Sequence, residues 1–378
     1  MSTMTTADVR QKNKESILQY IYKQKCTHQQ LICETLNISR PTVIPILREF
    51  EEEGIISKAG YFESTGGRKA KAIVFVANSK ISLGVELLID SYKITALNLY
   101  GETIDSACYE TPFEHSSEYY HTVCDSISAF IQDHSIPPEK ILGIGIVLQG
   151  LISSDGNHVT YGKILNCTGL TIHSFTKYLP YPCKFFHDAE AAALDELWLN
   201  PQLTNAIYMN IRSHVSGAVI VNRDFLQGTA LKSGVFEHMC LIPNGRTCYC
   251  GRKGCVETYC STQPLLDMAG TLDHFFAKLR ENDTSCQTCW LGYLYYLASA
   301  INNLRMFIDY PIIIGGTLTQ YLQKQDIQTL HQLIYDRTTF PSDTEFIYVS
   351  RSSKSAISRG AALPYIKQYL SSRFGLPV

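Results

Sequence analysis

Residues 234–257 read GVFEHMCLIPNGRTCYCGRKGCVE. Cys248 and Cys250 flank Tyr249, Cys255 follows after Gly251-Arg252-Lys253-Gly254, and His238 stands ten positions before Cys248. Three thiolates and one imidazole make a tetrahedral Cys₃His zinc set with no coordination position left for water, so the expected Zn2+ is structural rather than catalytic. Gly251 and Gly254 permit the tight turns that bring the sulfurs together. Metal binding would staple an otherwise irregular loop. The competing reading is three free thiols with His238 in a core.

The rest of the composition agrees with a metal site over a disulfide framework. The chain has 378 residues and 13 cysteines, an odd count at scattered spacings. Cys286 and Cys289 form a lone C-x-x-C, read as helical and not metal-binding. Cys26, Cys108, Cys167 and Cys240 are read as small buried hydrophobes. At roughly 150 residues per domain the length predicts two or three domains. A hydrophobic fraction of 45% and a charged fraction of 18% exclude disorder as the main state. No stretch reaches the roughly 20 apolar residues of a membrane span. The start, MSTMTTADVRQKNKES, lacks an apolar signal core, so a cytoplasmic location and no membrane partner are expected.

Downstream of about residue 80, apolar strands alternate with helical segments. ISLGVELLIDSYKITALNLYGE reads as two strands joined by a tight turn. LGIGIVLQGLIS is a further strand, and CKFFHDAEAAALDELWL is a strand ending at His187-Asp188 followed by an alanine-rich helix. NAIYMNIRSHVSGAVIVNRDFLQG is a hairpin, PIIIGGTLTQYL a strand leading to a helix start, and SAISRGAALPYIKQYL a closing helix. This alternation predicts an α/β architecture.

Upstream lies a different module. Residues 16–25 and 28–36 have helical apolar spacing, and a third helix runs from Ser39 to about Glu53 with Val43, Ile46, Leu47 and Phe50 inward. Two β-rich runs, Ile55–Ser57 and Ala72–Val76, flank a polar tip. The pattern is a winged helix-turn-helix. Residues 1–72 carry 11 Lys/Arg against 8 Asp/Glu in a chain of net charge −2, which favours an anionic partner. Ser39, Arg40 and Thr42 open the third helix and are the candidate DNA contacts, together with Gly66, Gly67, Arg68 and Lys69 of the tip. Pro45 predicts a kink or a short helix there. The alternative is a protein-interaction module with a solvated basic loop.

These residues carry a resemblance. Cys248-Tyr249-Cys250-Gly251-Arg252-Lys253-Gly254-Cys255-Val256-Glu257 is similar to the C-x-C-G-x-x-G-C-x-E signature of the ROK family of repressors, open reading frames and sugar kinases. Gly234 to His238 align with its G-E-x-G-H motif, and Ser64-Thr65-Gly66-Gly67-Arg68 with the wing tip of its repressor branch, which includes xylose- and N-acetylglucosamine-responsive repressors. The resemblance implies an actin-like, two-lobed ATPase (sugar kinase) fold. The expected organisation is a winged helix-turn-helix domain over 1–76 and a kinase-like domain over 80–378, with the zinc-bound loop at about 238–257.

The resemblance also implies what has been lost. The first phosphate loop, D-x-G-G-T in the kinases, is here Glu86-Leu87-Leu88-Ile89-Asp90, and the second is Ile211 to Gly217 with a single glycine. Bulky aliphatics bar the close backbone approach a phosphate cradle needs. The catalytic-type Asp188 is matched, so the expectation is a ligand sensor that is not an enzyme; an active ATP-dependent sugar kinase is the alternative. By the same resemblance Asp188, His187, His238 and Glu257 hold the sugar. Val235 replaces the motif's first Glu, and Glu237 either substitutes for it or faces solvent. The implied function is a sugar-responsive repressor of carbohydrate uptake or catabolism. Its implied partners are a palindromic double-stranded DNA operator and a sugar or sugar-phosphate effector, and a homodimer or dimer of dimers would match the operator's symmetry. A zinc-dependent scaffold that has lost both ligand and DNA is the third reading.

Overall fold

The computed structural model describes residues 5–61, 71–341, 344–352 and 355–376. The N-terminal module has helices α1 (Thr6–Gln24), α2 (Gln29–Leu36) and α3 (Arg40–Glu52), then antiparallel strands β1 (Ile56–Tyr61) and β2 (Lys71–Phe75). A two-residue strand, Cys26–Thr27, completes the sheet on the other side of β2. Ile17, Leu18, Ile21, Ile32, Val43, Ile46 and Phe50 form its interior. Helix α3 runs for 13 residues through Pro45, against the expected kink or shortening. Its buried face, Val43, Ile46, Leu47 and Phe50, is continuous past the proline, so packing outweighs one missing amide bond.

The body has two lobes. In the first, β3 (Ile81–Leu87), β4 (Tyr92–Asn98) and β5 (Thr103–Tyr109) form an antiparallel meander. Helix α4 (Ser117–Asp133) follows, then β6 (Ile141–Leu148), β7 (Cys183–His187) and helix α5 (Asp188–Leu199). The sheet order is β7-β6-β3-β4-β5, with β6 parallel to both β3 and β7. The second lobe repeats the plan with β8 (Ala206–Ile211) and β9 (Val215–Val221) as a hairpin. Helix α6 (Thr284–Phe307) then leads to β10 (Ile312–Gly315), which pairs parallel with β8, and to β11 (Ile347–Val349), which pairs parallel with β10. Helix α7 (Ala356–Phe374) closes the chain's described part.

Helices α5 and α7 cross between the lobes at very short range. A Cβ on Gly360 would lie 1.6 Å from the Ala191 carbonyl oxygen, and one on Gly84 1.7 Å from that of Ser358. Only glycine permits these approaches. Far from the lobes, Leu370, Phe374 and Leu376 at the end of α7 belong to the same core as the N-terminal helices. Gln19 donates to the carbonyls of Phe374 and Gly375 at 3.2 and 2.9 Å, and Arg373 pairs with Glu53 at 2.8 Å. The winged module is therefore not a separate bead.

The cysteines depart in part from their expected burial. Cys167 is buried, but Cys26, Cys108 and Cys240 are exposed. Cys108 lies on β5, the edge strand of its sheet, and Cys26 on the short edge strand. Cys286 and Cys289 lie on helix α6, as expected.

Candidate metal centre, effector cavity and nucleic-acid interface

His238 ends a single helical turn, Phe236–His238, and the three cysteines sit on the looped segment that follows. The ligand atoms of His238, Cys248, Cys250 and Cys255 all lie within 4.8 Å of one another, so the four side chains can hold a metal ion. Two of the separations are 3.8 Å, His238 Nδ1 to Cys248 Sγ and Cys250 Sγ to Cys255 Sγ. A tetrahedron with metal–sulfur bonds of about 2.3 Å has edges near 3.8 Å, so the donor set fits a four-coordinate ion. Burial lowers the His238 pKa, favouring the neutral imidazole that a metal ligand must be. Gly251 and Gly254 take positive φ, 87° and 80°, at the turns of the loop.

Beside this cluster, at the junction of the lobes, is a cavity of about 580 Å3. Asp188, the first residue of α5, is 2% exposed and lines it. Its Oδ2 accepts from the Ser216 hydroxyl at 2.8 Å and the Asn210 amide at 3.3 Å. Its Oδ1 has no hydrogen-bond partner among the described residues, although His187 Nε2 lies 3.4 Å away. Glu237 also lines the cavity, is 6% exposed, and has a buried Oε2 without a hydrogen-bond partner among the described residues. Burial, reinforced by the charges of Asp188 and Glu257, pushes its pKa well above the usual carboxylate range. Of the two readings open for Glu237, solvent exposure is excluded.

The other expected ligand residues divide. His187 lines the cavity next to Asp188. His238 does as well, but both ring nitrogens are engaged: Nδ1 faces the cysteine cluster and Nε2 lies 3.2 Å from the Tyr249 hydroxyl. Glu257 does not reach the cavity wall. Its Oε1 pairs with His214 Nδ1 at 2.7 Å and its Oε2 accepts from the Val215 amide at 2.7 Å. One strong partner on each oxygen turns this buried carboxylate toward His214 and Val215 rather than the cavity. Sequence reasoning missed this because the partner, His214, stands where the kinase pattern places a glycine-rich loop. The signal for Glu237 was present in the motif: an acid stands at its second glycine while an aliphatic stands at its Glu.

The two segments at the phosphate-loop positions meet. Arg212, just after β8, forms an ion pair with Glu86 of β3, joining the two lobes. Burial alone would lower the Arg212 pKa, but the Glu86 carboxylate outweighs it and raises it. After β3 the chain turns tightly, with the Leu88 amide donating to the Ser91 carbonyl at 2.9 Å, and Ile89 and Asp90 are exposed.

On the N-terminal module, Ser39 precedes α3 but makes no side-chain cap; its hydroxyl lies 2.9 Å from that of Thr42. Arg40 is exposed and Thr42 half-buried. Arg40, Ile44 and Arg48 of α3, with Lys58, Tyr61 and Lys71 of the wing strands, line a groove of about 900 Å3. The tip residues Gly66, Gly67, Arg68 and Lys69 lie outside the described residues.

This architecture has known counterparts. Residues 82–366 match the ROK family profile, and residues 10–57 match that of a winged helix-turn-helix DNA-binding domain. The chain belongs to the ROK family. It is similar to the xylose repressor of Caldicellulosiruptor bescii, 22% identical over 388 residues, covering 96% of this chain and 97% of that one. The xylose repressor of Bacillus subtilis is 27% identical over 323 residues, covering 82% and 84%. The N-acetylglucosamine repressor of Escherichia coli O6:H1 is 24% identical over 254 residues, covering 66% and 62%. Among solved structures, a ROK family transcriptional regulator described as a homologue of the E. coli MLC protein superposes with a TM-score of 0.74 at 21% identity, covering 97% of this chain and 98% of that one. A ROK family glucokinase from Streptomyces griseus, solved with glucose and AMPPNP, gives 0.65 at 16% identity, covering 75% and 98%. The fold is thus a winged helix-turn-helix joined to the actin-like body of the ROK sugar kinases. Among the described residues no helix is long and apolar enough to cross a membrane.

Proposed function

We propose that this protein is a sugar-responsive, DNA-binding transcriptional repressor of carbohydrate uptake or catabolism, acting in the cytoplasm. Residues 1–76 form its operator-binding domain and residues 80–378 its effector-sensing domain. The observation that carries this reading is a pair of buried carboxyl oxygens, Asp188 Oδ1 and Glu237 Oε2, without a hydrogen-bond partner among the described residues, in one cavity of a chain that also bears a winged helix-turn-helix. Such oxygens await hydrogen-bond partners, and the hydroxyls of a sugar or sugar phosphate, which both donate and accept, supply them. His187 and Asp188 hold the effector with Glu237. His238 serves the metal, and Tyr249 screens it from the effector. The repressors among the relatives support the same assignment.

Loss of kinase activity follows from the phosphate-loop segments. The resemblance aligns Glu86 to Asp90 and Ile211 to Gly217 with the kinases' phosphate loops, and the Glu86–Arg212 ion pair with the aliphatic turn at Leu87-Leu88-Ile89 supports this reading. Asp188 therefore orients a hydroxyl and activates none. The cysteine cluster holds Zn2+ in a closed, structural site, and the bound ion would supply fixed loop geometry and no chemistry. Arg40 with Gly66, Gly67, Arg68 and Lys69 contacts the operator, Ser39 and Thr42 set the start of the recognition helix, and a homodimer or dimer of dimers spans a palindromic site.

The test is fluorescence anisotropy of the full-length protein on duplexes selected from a random pool, with and without a panel of sugars and sugar phosphates. Salt-sensitive binding that one panel member shifts is expected. ATP turnover with the same panel stays at background. Sugar phosphorylation that Asp188→Asn abolishes would instead establish a kinase.

A further inference from the structure

Helix α3 presents an unusual face to its groove. Arg40, Ile44 and Arg48 recur at i, i+4 and i+8 and so lie along one side of the helix. Pro41, Ile44 and Pro45 are all exposed along that side. Ile44 is 47% exposed, with an arginine one turn before it and another one turn after. The polar residues expected to read bases are fewer than the sequence implies, since Thr42 is half-buried against Ser39. Charge divides the helix lengthwise. Its acids, Glu49, Glu51 and Glu52, are confined to the last turn, where Arg48 pairs with Glu52, Lys58 with Glu51, and Arg10 and Lys14 with Glu49. The first two turns of α3 therefore hold Arg40 and no acid, whereas at the third turn each acid is already neutralised by a cation. An aliphatic side chain on that face finds an apolar counterpart in the C5-methyl of thymine, the only methyl group displayed in the major groove.

We infer that Ile44 is a specificity-determining residue that reads thymine by its methyl group, so that each operator half-site carries a required thymine facing the second turn of α3. The two prolines stiffen the backbone that presents it, and Arg40 supplies phosphate or guanine contacts beside it. This inference rests on the DNA-binding reading and extends it from affinity to sequence choice.

Deoxyuridine provides the test, because it keeps every hydrogen-bonding group of thymine and lacks only the methyl. Full-length protein is titrated against its selected duplex and against copies in which each thymine of the half-site is replaced in turn. At one or two positions the wild type should lose roughly fourfold in affinity, the worth of one buried methyl group. Ile44→Ala should bind the thymine duplex about as weakly as the wild type binds the deoxyuridine duplex, and should lose nothing further on removal of that methyl. Arg40→Ala should weaken binding to both duplexes and keep the thymine preference. Thermal melting of Ile44→Ala confirms that the fold is intact. A deoxyuridine penalty undiminished in Ile44→Ala, or no penalty at any position in the wild type, overturns the inference while leaving DNA binding standing. A changed oligomeric state in Ile44→Ala with the penalty intact assigns the side chain to a protein contact and also overturns it. Failure of the wild type to enrich any duplex overturns the DNA-binding reading itself, and this inference with it.

Discussion

At the scale of single residues, three acids separate what sequence reading reaches from what it does not. Asp188 follows a strand and opens a helix, a placement visible in the alternation of CKFFHDAEAAAL. Glu237 and Glu257 were harder, because each is decided by what lies across the chain from it. Glu257 is spoken for by His214 and the Val215 amide, 43 and 42 residues away, and nothing in its local pattern announces that. Glu237→Gln and Asp188→Asn should each weaken effector binding by roughly tenfold, the cost of about one mismatched buried hydrogen bond, with operator affinity in the absence of effector unchanged. Titration calorimetry with the responsive sugar, alongside anisotropy on the operator, measures both. Glu257→Gln should act differently. It removes the acceptor charge facing His214 and should lower the melting temperature without selectively changing effector affinity, as a thermal scan of the variant against wild type will show.

At the scale of elements, the metal loop was the most legible part, since ligand spacing and intervening glycines are local properties. Chelation, or Cys250→Ser, should release one equivalent of zinc per chain and expose segment 238–257 to protease. Metal analysis and limited proteolysis report the two effects independently. Helix α3 was legible in its inward face and misjudged at Pro45, because propensity is a local quantity and the buried stripe that holds the helix together is not. The crossing of α5 and α7 left only a faint trace, the glycine in SAISRGAAL. Gly360→Ala would force a methyl into the Ala191 carbonyl. Overpacking of this kind costs typically 1–3 kcal/mol, and backbone on the receiving side places it at the upper end. Denaturant unfolding of Gly360→Ala should show a lower midpoint, whereas Gly292→Ala, on the surface of α6 with open space around it, should be neutral or slightly stabilising.

At the scale of the whole molecule, α7 is the element that both halves share. Its first turn packs between the lobes, where Ile357 meets a cluster containing Val147, Tyr208 and Ile313. Its last turn lies in the core of the winged module with Ile17, Leu18 and Ile21. A 19-residue helix spans about 28 Å, so one element runs from the lobe junction to the core of the winged module. The alternation of strands and helices made an α/β body legible, its two lobes came only with the family resemblance, and helical spacing followed by two β-rich runs made the winged module legible. Their fusion into one core was not legible, because its contacts join the first and last described helices. Leu370→Ala removes a fully buried side chain from that shared core and should cost about 2–5 kcal/mol. Calorimetry should show the winged module and the body losing stability together, not one transition shifting while the other stays.

The seating of Phe374 and Gly375 against Gln19 also sets an order of events during synthesis. The reading head emerges from the ribosome early, yet the residues that complete its interior are translated some 355 codons later. Until they arrive, the nascent head lacks Leu370, Phe374 and Leu376, which complete the hydrophobic core around Ile17, Leu18 and Ile21.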